Sequence, residues 1–137
     1  MNQDAIKEHQ GAQKAALRER IKRFYKHFQR ADWEQCYEYL DPQLRQGKKV
    51  LSAPYAQSLS EFAAVYGTIK IWHIDINLYL DTAKNKRDPR PFAYVYIFWQ
   101  DQRHAFHVFR ERWVREAGDW YTRVAGLVAH AKDRQST

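Results

Sequence analysis

Residues 68–80 read TIKIWHIDINLYL. Trp72, Ile74, Ile76, Leu78 and Leu80 alternate with His73, Asp75, Asn77 and Tyr79. A period of two belongs to a strand with one buried and one wet face. The segment just upstream keeps a different period. Tyr55, Leu59, Phe62 and Tyr66 are spaced four, three and four apart, behind Ser52-Ala53-Pro54. That spacing predicts an amphipathic helix, opened by a capping serine and a proline in its first turn. Gly67 supplies the left-handed residue at which such a helix stops. The change of period at Gly67 puts helices in the first half of the chain and a sheet in the second, an α+β arrangement.

Downstream, residues 81–91, DTAKNKRDPRP, form a polar connection. Phe92 to Gln100, FAYVYIFWQ, is a second strand with so little polarity that burial on both faces is expected. Asp101-Gln102 is read as a tight turn, Ala105 to Arg115 as a third strand, and Ala117-Gly118-Asp119 as the next turn. Trp120 to Ala129 returns as a fourth strand, and the tail after His130 is polar. A two-residue turn at Asp101-Gln102 sets His107 opposite Tyr96 and Phe109 opposite Tyr94. On that register Tyr94, Tyr96, Phe98, His107, Glu111 and Trp113 share one face. Val95, Ile97, Phe106, Val108, Arg110 and Arg112 share the other, and a one-residue bulge would exchange the two sets.

Upstream, Leu17, Ile21, Phe24 and Phe28 make one apolar stripe on a helix over Ala12 to about Arg30, which could begin as early as Asp4. Asp32 is placed to cap the next helix, with Gln35 in the reciprocal position. Trp33, Cys36, Tyr37 and Leu40 line that short helix, and Asp41-Pro42 ends it. Gly47-Lys48-Lys49 reads as a loop.

The 137 residues suit one domain, 1–137, with a core over about 12–130 and polar ends. Five Trp, nine Tyr and seven Phe are enough large rings to fill that core. The lone cysteine, Cys36, rules out an internal disulfide and a thiolate metal cluster. The start, MNQDAIKEHQ, is too polar for a secretory signal, and no run approaches a membrane span. A reduced, cytoplasmic protein with no membrane partner is expected. The net charge of +7 would suit an acidic partner such as nucleic acid. The basic residues are scattered, however. Their densest group, Lys84-Asn85-Lys86-Arg87-Asp88-Pro89-Arg90, includes an aspartate and reads better as a solvated loop than as a nucleic-acid contact.

Three motifs carry a resemblance. Phe28-Gln29-Arg30-Ala31-Asp32-Trp33 joins a long helix to a short one, Ser60-Glu61-Phe62 lies on the helix before the sheet, and Arg112 to Tyr121, RWVREAGDWY, is a Trp, acidic-Gly and Trp hairpin. With the element order they resemble the nuclear transport factor two-like superfamily, which includes ketosteroid isomerase and polyketide cyclase relatives, over about 17–129. The resemblance implies a cone, in which a curved antiparallel sheet wraps the helices and leaves a pocket at its open end. It also implies a homodimer through the outer sheet face. Steroid-isomerase chemistry is not implied. The tyrosine that relatives place eight residues before the aspartate is Phe24 here, and their base aspartate falls at Gly47-Lys48-Lys49.

Several residues are candidates for chemistry. His73 and Asp75, two apart on one strand, share a face, where the carboxylate could orient the imidazole as an acid or base. His107 and Glu111 form a second such pair. Asn77 beside the first pair suggests a wet face instead, and packing explains the aromatic face equally well. In the implied pocket, Tyr94, Tyr96, Phe98 and Trp113 from the sheet and Phe24 and Tyr55 from the helices would line a site for a small apolar ligand. His104 and His107, three apart, are poor metal ligands, and no metal or cofactor is expected. The expected function is a dimeric small-molecule-binding or interaction module. The alternatives are a lyase or isomerase using His73, Asp75 and the pocket tyrosines, and a basic nucleic-acid-associated module.

Overall fold

The computed structural model describes residues 3–47 and 49–124. Four helices precede four strands: α1 Gln3–Gln29, α2 Trp33–Tyr37, α3 Pro42–Gln46, α4 Ser52–Tyr66, β1 Lys70–Tyr79, β2 Phe92–Gln100, β3 Phe106–Glu116 and β4 Asp119–Val124. The strands pair in chain order as a curled antiparallel meander, with β1 and β4 at its edges. The class is α+β, helices on a sheet, as the change of period requires.

α1 is continuous from Gln3, so the weakly apolar segment before Ala12 extends the helix. Its stripe, Leu17, Ile21, Phe24, Tyr25 and Phe28, is buried. α4 buries Tyr55, Leu59, Phe62 and Tyr66. Both stripes close on the inner sheet face, where Ile74, Ile76, Ala93, Val95, Ile97, Trp99, Phe109, Trp113 and Trp120 are buried. Rings dominate the contact. Phe62 stacks on Tyr66 at 4.4 Å, and Phe24 meets the edge of Trp113 at 6.4 Å. Each buried ring removes enough apolar area from water to stabilise the fold by roughly 2 kcal/mol.

The predicted caps are corrected. Asp32 makes no side-chain bond to the start of α2; its carboxylate lies 3.4 Å from His27 Nδ1, and its carbonyl accepts from the Cys36 amide. Ser52 is the first residue of α4 rather than its cap, a place taken by Leu51. Asp41-Pro42 does not end α2, which stops at Tyr37 and leaves Leu40 outside the helix; it opens α3 instead. The Asp41 carboxylate accepts from the Gln43 amide, and Pro42 sits in the first turn of α3. Gly67 stops α4 at φ 69°, where a side chain would also collide with Gln102. Lys48, and the part of the expected fourth strand beyond residue 124, lie outside the described residues.

The sheet's register is the main correction. β2 and β3 are joined by a five-residue loop, 101–105, rather than by a two-residue turn. The Asp101 carboxylate gathers this loop. Its Oδ1 accepts from the Arg103 and Ala105 amides, its Oδ2 is 2.8 Å from His107 Nε2, and the Asp101 amide donates to Ala105 O. Tyr96 therefore opposes Arg110, and Tyr94 opposes Arg112. A shift by an odd number of residues exchanges faces. His107, Phe109, Glu111 and Trp113 accordingly lie on the inner side with Val95, Ile97 and Trp99. Tyr94, Tyr96 and Phe98 lie outside with Phe106, Val108, Arg110 and Arg112. A second correction falls on β1. A bulge between Ile71 and His73 turns Trp72, expected inside, onto the outer face, where it is 57% exposed. β2 is also buried on one face only, since Tyr94 on the other is exposed.

β4's outer edge is covered. The Tyr39–Asp41 segment lies along it, with Asp41 N donating to Thr122 O at 2.9 Å and Thr122 N to Tyr39 O at 2.8 Å.

Candidate functional site

The outer sheet face presents rows across the strands. His73, Phe98 and Val108 form one row, Asp75, Tyr96 and Arg110 the next, then Asn77, Tyr94 and Arg112. Rings cluster at both ends. Trp72 lies 5.4 Å from Phe98 and 6.2 Å from Phe106, which is 71% exposed. At the other end Tyr79 stacks on Phe92 at 4.9 Å, and the Arg112 guanidinium sits 4.4 Å from the Phe92 ring centre. Between the ring clusters lies a polar belt of Asp75, Asn77, Arg110 and Arg112. His73 Nε2 and Asp75 Oδ1 are 2.7 Å apart and both half exposed. The expected pair therefore forms on the wet outer face.

The inner face holds a different polar group. Tyr25 Oη donates to Glu111 Oε2 at 2.5 Å, and Trp113 Nε1 donates to Glu111 Oε1 at 2.8 Å, all three buried. Burial pushes the Tyr25 hydroxyl well above its ordinary range, and the Glu111 charge pushes the same way. The Tyr55 hydroxyl is also buried and makes no hydrogen bond to any described residue. Burial raises its pKa, and so do the nearby Cys36 and Glu111. Cys36 itself is buried, its Sγ 3.8 Å from Phe24 O, and burial, then Asp32, push the thiol up to about 12. It is a packed, unreactive sulfur.

His107 stays near the hairpin loop. It stacks on Trp99 at 4.3 Å, and its bond to Asp101 is the chief reason that carboxyl is held below its ordinary range. The four acid–base candidates are thus three separate groups: His73 with Asp75 outside, His107 with Asp101 at the loop, and Glu111 with Tyr25 and Trp113 inside. The six expected pocket residues divide likewise. Tyr94, Tyr96 and Phe98 are outside, whereas Phe24, Tyr55 and Trp113 are in the core, because the longer loop moved the register. No three His, Cys, Asp or Glu side chains gather as metal ligands among the described residues. No helix there is long and apolar enough to cross a membrane.

The sequence reading missed two groups. A hydroxyl is lacking at Phe24 but present at Tyr25, whose spacing of four from Ile21 already placed it on the buried stripe. The second is a cluster on Asp41, which is fully buried. Arg90 donates through Nη1 to Oδ1 at 2.7 Å and through Nη2 to Oδ2 at 2.8 Å, and Arg123 Nη1 donates to Oδ2 at 2.8 Å. Asp88 holds the other side of the Arg90 fork at 2.9 Å. Burial alone would raise the Asp41 pKa. The Arg90, Arg123 and Gln43 hydrogen bonds outweigh it and hold the carboxyl at about 2. The loop read as a basic patch thus turns Arg90 inward as a tether and leaves Lys84, Lys86 and Arg87 exposed. No signal in the sequence pairs residues this far apart.

Comparisons with protein-family models, with curated proteins and with solved structures find no match, so the geometry carries the functional reading.

Proposed function

We propose that this chain is an interaction module of the nuclear transport factor two-like kind that forms a homodimer through the outer face of its sheet. The observation that carries this is the exposure of large apolar side chains on that face, from Trp72, Phe106 and Val108 at one end to Tyr79 and Tyr94 at the other. Exposed rings at both ends of one face, with a charged belt between them, suit an association surface that buries the rings and pairs the charges. The arrangement is also self-complementary. A two-fold axis along β2 exchanges β1 with β3, setting Asp75 of one copy against Arg110 of the other, twice. The element order and the curled sheet are compatible with the cone that the sequence motifs suggest. The interior gives less support to a small apolar ligand, because Phe24 and Trp113 are wholly buried against one another. An acid–base enzyme finds less support still, its candidates being divided between two faces and a loop.

Size-exclusion chromatography with light scattering tests the reading. The wild type is expected at twice the chain mass, and Phe106→Glu with Val108→Glu at the monomer mass with unchanged circular dichroism. A wild type that remains monomeric at high concentration would overturn it.

A further inference from the structure

The two edges of the sheet are treated differently. β4's edge is covered by Tyr39–Asp41, whereas among the described residues β1 pairs with β2 and with no other strand. Among the described residues no backbone hydrogen bond reaches β1's outer edge. After the bulge at Trp72, residues 73–79 pair regularly with β2. Every second residue of that run therefore turns its N–H and C=O away from the sheet, a ready template for another strand.

α1 runs beside this edge in the opposite direction. Gln29 Nε2 bonds Ile69 O at 2.8 Å, just ahead of β1. Arg18 and Lys22 face residues 71–74 across a cleft of about 290 Å³. Gln10 faces Tyr79 and Leu80 across a second cleft. Helical periodicity sets Lys7, Lys14, Arg18 and Lys22 on the flank that carries Gln29. Among the described residues, Lys7, Lys14 and Arg18 have no carboxylate within salt-bridge distance, and Lys22 has only Glu19, at 3.9 Å. A free strand edge thus runs along a row of four cations.

We propose that the β1 edge takes an extended, acidic segment of a partner polypeptide as a fifth strand. Backbone pairing would supply the register, and carboxylates at alternate positions would meet the α1 row. Side chains on the opposite face of that segment would lie toward Trp72, which favours apolar residues there. A second copy of this chain fits poorly at this edge, because antiparallel β1–β1 pairing would bring two rows of cations together. A phosphate backbone would satisfy the cations but not the alternating donors and acceptors.

The test uses the full chain and a fluorescent peptide alternating Glu with Val, followed by anisotropy. The peptide is expected to bind saturably. The same peptide with Lys for Glu should bind at least about tenfold more weakly. So should the acidic peptide on Arg18→Glu/Lys22→Glu protein, a surface change that circular dichroism should show to be folded. Two further peptides, N-methylated at odd or at even residues, separate strand addition from simple charge attraction. One set should abolish binding and the other leave it, because alternate amides face β1. Equal binding of both sets, or no binding of the acidic peptide near millimolar concentration, would overturn the proposal. So would an oligouridylate that displaces the peptide while the Lys peptide binds equally well. Phe106→Glu/Val108→Glu protein should keep full peptide affinity, so the edge and the outer-face dimer stand or fall separately.

Discussion

Asp41 shows how much one side chain can hold. Its two oxygens join the start of α3 to the loop after β1 through Arg90 and to β4 through Arg123. A buried carboxylate without cations would be costly, and the partly exposed Arg90 and Arg123 supply them. Asp41→Asn should therefore destabilise the fold by on the order of 3 kcal/mol, measured by urea unfolding. The pH dependence follows from the same contacts. The folded carboxyl titrates near 2, below its ordinary value of 3.8, so its contribution is complete above about pH 4. It disappears as pH falls from there toward 2, a loss of on the order of 2 kcal/mol. Melts of wild type and Asp41→Asn between pH 6 and pH 2 (the span the titration requires) should converge at the acid end. A constant gap between them would assign the effect to something other than ionisation.

Among the elements, the hairpin of β3 and β4 offers the most direct test. Ala117 and Gly118 are its two turn residues, at φ 51° and 82°, between paired Glu116 and Asp119. Both in the left-handed region is the two-residue turn that matches strand twist, and alanine is a poor occupant of its first position. Ala117→Gly or Ala117→Asn should raise the melting temperature, by a stabilisation of up to about 1 kcal/mol. Most elements were legible in the sequence for local reasons of this kind. Periodicity located α1, α4 and β1, an apolar run located β2, and turn chemistry located Gly67 and the turn at Ala117-Gly118. What was not legible depended on a side chain choosing between two local partners. Asp101 collects the amides of Arg103 and Ala105 and the His107 ring, lengthening the loop and moving His107, Glu111 and Trp113 to the inner face. Nothing in the residue types of 101–105 excludes the tighter turn. The bulge at Trp72 is equally silent, because an indole suits either face. The candidate site was therefore legible as a set of residues but not as an arrangement.

For the molecule as a whole, the sheet is built from neighbours in sequence, and its closure is not. Each strand pairs with the next, whereas Tyr39–Asp41 comes from the first half of the chain to cover β4. The long connection over 81–91 carries the exposed Lys84, Lys86 and Arg87, which suit trypsin, between two strands that remain paired. Cleavage there should leave a particle of unchanged size at neutral pH, because β1 still pairs with β2 and the Tyr39–Asp41 segment still pairs with Thr122. Electrophoresis in denaturant should show two pieces where native chromatography shows one. The same cover on β4 means the two pieces are complements rather than halves: one brings the helices and a single strand, the other three strands that lack a lid. Expressed as separate genes, they should recover the native spectrum only when mixed, which would make the association of the two segments, rather than their synthesis as one chain, the event that switches the fold on.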